Sequence, residues 1–157
     1  MIRKVTRVDD AAQIRGVLED WTDALRAKDI DAIMAVHAPD ILGFDCHSQL
    51  RLKGAAAYRK HLEACLPCMR GPMLFEIHDL DITAQGELAF CHYLARCGAT
   101  GTDGQQHVCW LRMTACLRKV REKWMIVHDH CSVPFEPESG MALLDLHPEH
   151  TGRATAA

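Results

Sequence analysis

Apolar residues recur every three or four positions from Asp10 to Ala27, at Ile14, Val17, Leu18, Trp21 and Leu25. That spacing predicts a helix with one face turned inward and Trp21 directed at the core. A second, shorter helix is predicted after Asp29, which has the right side chain for an N-cap, with Ile30, Ile33 and Met34 on its inner side and a turn at Pro39 as its end. The pattern then shortens to two strands, 41–45 and 50–54, on either side of a polar turn at 46–49. Gly54 leads into a third helix carrying Tyr58, Leu62, Cys65 and Leu66 on one side, with Pro67 closing it.

The rest of the chain alternates in the manner of strands. Four are predicted, at 74–84, 88–99, 107–120 and 124–133, separated by Gln85-Gly86, Asp103-Gly104 and Arg121-Glu122-Lys123. They form an antiparallel meander. Within the first, the apolar parity slips from Phe75 and Ile77 to Leu80 and Ile82, which predicts a bulge near His78. Beyond Val133, Pro134 and Pro137 predict irregular chain with one docked turn over Met141 to Leu146, and a flexible tail over 149–157. The whole reads as one domain, 1–148, of the α+β class. Three N-terminal helices pack on a strongly curved, mixed but mainly antiparallel sheet, and the resulting cone encloses a cavity.

Composition narrows the partners. The chain has 157 residues, 48% of them apolar, and 18 Lys plus Arg against 21 Asp plus Glu give a net charge of −3 with no block of one sign. A nucleic-acid surface built on phosphate neutralisation is excluded by that balance. No uncharged apolar run approaches the roughly 18 residues of a membrane span, and the first ten residues lack the apolar stretch of a secretory leader, so a cytoplasmic protein is expected. Eight cysteines, at 46, 65, 68, 91, 97, 109, 116 and 131, then read as reduced thiols that mostly fill the core beside apolar neighbours.

The run HAPDILGFD, CHSQLRLKG, AAAYRKHLEA and the closing WMIVHDHCSVPFEPESG resemble the SnoaL-like and ketosteroid-isomerase-like branch of the nuclear transport factor 2 superfamily, over about residues 8 to 148. The resemblance implies a cofactor-independent isomerase, cyclase or dehydratase that removes a proton next to a carbonyl in an apolar pocket. It puts the base at Asp45, nine residues before Gly54, and the two oxyanion donors at Trp21 and about Met113. Neither supplies the hydroxyl or carboxyl donor required. The same register places Val127, Asp129 and Cys131 on the cavity face of the last strand, with Cys91, Tyr93 and Ala95 beside them. Asp45 as base and Asp129 as acid are therefore the expected catalytic pair, while Trp21, Leu25, Tyr58, Tyr93, Met113 and Cys131 shape the pocket.

Other constellations carry less. His128 and His130 share one strand face, with Trp124 and Ile126 expected on it and Asp129 opposite; with His78 and His92 nearby they have no zinc-motif spacing, and no metal is expected. The pair Cys65 and Cys68 lies at a helix end rather than the helix start a redox motif uses. Arg112, between Trp110 and Thr114, is read as an outward residue paired with an acid on the dimer-facing surface, with a carboxylate clamp in the cavity as the alternative if the strand register slips by one. The chain also resembles the association domain of calcium/calmodulin-dependent protein kinase II, which uses this fold for assembly. Ala115 and Cys131 stand where that domain has pocket arginines. Two readings result: an enzyme acting on a small hydrophobic carbonyl compound with no cofactor, or a non-catalytic binding or assembly domain. A homodimer is expected through exposed apolar strand positions such as Trp110.

Overall fold

A computed structural model describes residues 7–149, with side chains from Asp10 onward; all of the expected flexible tail beyond Glu149 lies outside the described residues. Helix α1 (Arg7–Ala27) buries Ile14 and Leu18 completely, and Trp21 meets Phe75 edge-on at 5.1 Å between ring centroids. Its C-terminal end is tied to the same strand, because Arg26 Nε donates to the Phe75 carbonyl at 2.9 Å. At its other end the Asp10 carboxylate accepts from Lys119 Nζ at 2.7 Å and Trp124 Nε1 at 3.2 Å. Helix α1 is thus fastened at both ends of the sheet.

Asp29 caps α2 (Ile30–Ala35) by accepting from the Ala32 amide at 3.0 Å. Pro39 does not end this helix. Strand β1 (His37–Phe44) has already begun two residues earlier, and it tolerates the proline because its register against its neighbour shifts between His37 and Leu42. Strand β2 (Leu52–Lys53) is shorter than expected, and α3 (Ala55–Cys65) ends in a 3-10 turn at Leu66–Cys68 that contains Pro67.

The long strands are β3 (Arg70–Gln85), β4 (Leu88–Thr100), β5 (Gln106–Val120) and β6 (Lys123–Ser132). They form the predicted meander. The full sheet runs β2-β1-β6-β5-β4-β3; β1 lies parallel to β6 and every other pair is antiparallel. The sheet is open, with β2 and β3 at its edges. The register of β3 slips between His78 and Asp81, and Asp79 adopts a left-handed conformation with φ 54°, which is the bulge the parity predicted.

A second bulge was not foreseen. Cys116 pairs with His128 and Leu117 with Ile126, so Val127 is an extra residue on β6. It reverses the side-chain parity. Trp124 and Ile126 therefore face the core together with Asp129 and Cys131, whereas the histidines of HDH do not share their face. Outward faces differ from expectation too: Trp110 is half-buried between the rings of His78 and His147. The segment after β6 is irregular, held by the Phe135–Ala142 bridge and a bond from the Leu143 amide to the Pro134 carbonyl at 2.8 Å. No helix among the described residues is long and apolar enough to cross a membrane.

The Asp10 carboxyl is held below the usual carboxylate range, chiefly by the hydrogen bond from Lys119, with burial opposing it and Trp124 adding to it. Its contribution to stability is complete above the unfolded-state pKa and disappears as acid protonates it in the folded protein. Asp10→Asn should cost about 1 kcal/mol at neutral pH, and urea melts of both proteins should converge as the pH falls through the folded-state pKa of Asp10.

Candidate functional site

Between α1, α3 and the concave side of the sheet lies a cavity of about 150 Å³, walled by Trp21, Leu25, Leu62, Leu66, Phe75, Leu111 and Met113 among others. Its polar lining comes from Asp45, His47, Tyr58, His61 and Asp129. A second, larger cavity of about 640 Å³ adjoins it, and His47, Met69, Met73, Cys97 and Leu111 line both.

The deeper polar group is centred on Asp129. Tyr58 on α3 donates its hydroxyl to Asp129 Oδ2 at 2.5 Å, and His37 Nε2 stands 3.7 Å from the same oxygen. His37 Nδ1 must carry a proton, since its partner at 2.7 Å is the Ile33 carbonyl, which can only accept. Its Nε2 is buried without a hydrogen-bond partner. Asp129 Oδ1 receives no hydrogen bond from any described residue. Burial, and then the negative charge of Asp129, raises the Tyr58 pKa well above its ordinary value, so this group is a hydroxyl donor at physiological pH. Close approach here requires Gly43: a Cβ at that position would lie 2.8 Å from the Tyr58 ring and 3.1 Å from Asp129 Oδ1.

The second group sits at the rim. Asp45 follows the last residue of β1; its Oδ2 bonds His61 Nε2 on α3, and its Oδ1 accepts from the Cys46 amide at 2.7 Å and lies 3.4 Å from His47 Nδ1. Burial raises the Asp45 pKa, but the hydrogen bonds from His47 and His61 outweigh it and leave the carboxyl well below its usual range. The same Asp45 bond, with one from Cys46, lifts His47 to about 11. The Cys131 thiol donates to Cys46 Sγ at 3.4 Å and, with burial opposing and His47 helping, lowers the Cys46 pKa to about 6.

Most of the residues anticipated from sequence converge here: Asp45, Asp129, Trp21, Leu25, Tyr58, Met113 and Cys131 all line the cavity. Tyr93 does not. It is buried in the core, on the same face as its cross-strand neighbour Met113, which reaches the wall instead. Arg112 is exposed and donates to Ser132 Oγ at 3.2 Å, so it is no clamp within the cavity. Of the thiols Cys91 lies in the core and Cys97 and Cys131 pack against it, while Cys46 and Cys68 are exposed and the other three only partly buried, so core filling explains three of eight. His37, His47 and His61 were missed. His61 was legible, because three residues after Tyr58 on a helix it must share that residue's face.

Residues 14–136 match the SnoaL-like domain family. The chain belongs to this family. An NTF2-like protein of unknown function from Pseudomonas putida KT2440 is 40% identical and superposes with a TM-score of 0.80, over 88% of this chain and 98% of that one. At 14% identity, a candidate scytalone dehydratase from Novosphingobium aromaticivorans reaches 0.73 over 82% and 86% of the two chains. A ketosteroid isomerase-like protein from Erwinia carotovora atroseptica, 16% identical, reaches 0.67 over 77% and 93%. These two likenesses establish the fold of this SnoaL-like chain. Among curated proteins no relative matches it.

Because Gly43 has no room for a side chain, Gly43→Ala should force Tyr58 away from Asp129 and cost about 1–3 kcal/mol, read as a lowered thermal midpoint.

Proposed function

We propose that this SnoaL-like protein catalyses proton abstraction next to a carbonyl, as an isomerase or dehydratase, on a compact apolar compound held in the cavity. The observation that supports it is the Asp129 carboxylate, which lines a largely apolar cavity with one oxygen tied to Tyr58 and the other bonded to no described residue, above Gly43. Asp129 then takes the proton, leaving the electron pair of the broken C–H bond to form an enolate. The proton returns at another carbon in isomerisation, or in dehydration is passed to the β-hydroxyl, whose C–O bond breaks as the enolate collapses and which leaves as water.

Asp45 suits this role less well than the sequence implied, because both its oxygens are already engaged by His61, His47 and the Cys46 amide. It is a positioning residue for the rim. The apolar Trp21 and Met113 offer no pair of donors to an enolate oxygen, so the substrate must itself be a strong carbon acid, such as a 1,3-dicarbonyl or an aryl-conjugated ketone. A cavity of about 150 Å³ suits a single ring. The outer face of the sheet, where Leu88 is 63% and Phe90 48% exposed, would be the homodimer surface.

Deuterium uptake by a cyclic 1,3-diketone, followed by NMR with the purified protein, tests the assignment. Asp129→Asn should slow protein-catalysed exchange by about 100-fold or more and leave probe binding nearly intact, with Tyr58→Phe in between. Full exchange by Asp129→Asn with loss in Asp45→Asn would reverse the two carboxylates, and exchange indifferent to both would favour a non-catalytic binding domain.

A further inference from the structure

The parallel register of β1 and β6 pairs Phe44 with His130, so the chain leaving β1 passes alongside Cys131. There it turns, and Asp45, Cys46 and Cys131 each present a ligand atom within 4.8 Å of the others. His47 adds a fourth donor: its Nδ1 is 3.6 Å from Cys46 Sγ and 3.4 Å from Asp45 Oδ1. From these positions we infer that Asp45, Cys46, His47 and Cys131 form a tetrahedral site for a thiophilic divalent cation, zinc by preference, at the rim of the cavity.

Geometry and donor chemistry both support it. With metal–sulfur bonds of about 2.3 Å and metal–nitrogen or metal–oxygen bonds of about 2.0–2.1 Å, ligand atoms around a tetrahedral zinc stand roughly 3.4–3.8 Å apart. The Cys46–His47 and Asp45–His47 separations of 3.6 and 3.4 Å fall in that range, while the Cys46 and Cys131 sulfurs, 3.4 Å apart, spread by a few tenths of an ångström and the His47 ring turns toward Cys131 to complete the four. Two thiolates with an imidazole select zinc over magnesium or calcium, which prefer an all-oxygen shell. Asp45 is also supported from behind, since its other oxygen bonds His61 and a metal-ligating carboxylate is ordinarily held by such an outer hydrogen bond.

Among the described residues no other group of three such donors occurs. His128 is occupied with the Leu42 carbonyl and His78 with Glu76, so the histidines weighed from sequence do not assemble one. Binding would release to solvent the protons these donors carry, on the thiols and on His47 Nδ1, and fix the 45–51 turn to β6. It does not depend on the proton-abstraction reading, because neither Asp129 nor Tyr58 is a ligand.

The test uses the full chain, purified under reductant, stripped by a chelator and titrated with cobalt(II) and then zinc. One cobalt per chain should bind, giving tetrahedral visible bands and thiolate-to-cobalt absorption in the near ultraviolet, and one equivalent of zinc should displace it. Cys46→Ser and Cys131→Ser, checked for folding by circular dichroism, should each lose the two-thiolate spectrum. His61→Ala should keep the spectrum and weaken affinity by about 10- to 100-fold. Absence of the thiolate band, its persistence in both cysteine variants, or a Cys46–Cys131 disulfide forming at the same rate with zinc present as without it would overturn the site.

Discussion

Everything polar in the cavity depends on the parallel pairing of β1 with β6. It is the one non-antiparallel contact in the sheet and joins segments nearly ninety residues apart in sequence, with Gly43 opposite Asp129. The absence of a side chain at 43 lets the Tyr58 ring come down onto the strand pair and bond the carboxylate. One step further along the same pairing, the turn carrying Asp45 and Cys46 meets Cys131. Position 43 and the register therefore set both the deep carboxylate and the rim cluster.

The two carboxylates differ because their surroundings differ. Asp129 sits among Tyr58 and His37 with one oxygen open, whereas Asp45 is saturated by an amide and two imidazoles. A saturated carboxylate is pre-organised but ill-suited to take a proton from carbon; an unbonded oxygen in apolar surroundings is reactive and costly to bury. Tyr58 offsets part of that cost. The anchoring of α1 by Asp10 at one end and Arg26 at the other keeps the apolar wall of Trp21 and Leu25 over both groups.

Much of this was legible in the chain. The three- and four-residue spacing of Ile14, Leu18 and Trp21, the Asp29 cap and the parity slip near His78 each act over a few residues, and the structure has all three features. Pro39 misled because a proline signals only that a helix cannot continue, and here the strand had already begun where no ladder bond was needed. The Val127 bulge left no comparable mark. It arises from the fit of β6 between β5 and β1, and it put Trp124, Ile126 and Asp129 on one face where strict alternation would have separated them.

The sequence by itself determined the kinds and order of elements, the meander, the family resemblance and most of the cavity wall, because hydrophobic period, caps and turns are local physics. Only the tertiary structure decided which groups touch: His61 with Asp45, His37 beside Asp129, and Cys46 against Cys131. Those contacts lie across a parallel strand pair and a helix laid over it, and side-chain chemistry at that distance is fixed by register and by the room a single glycine leaves.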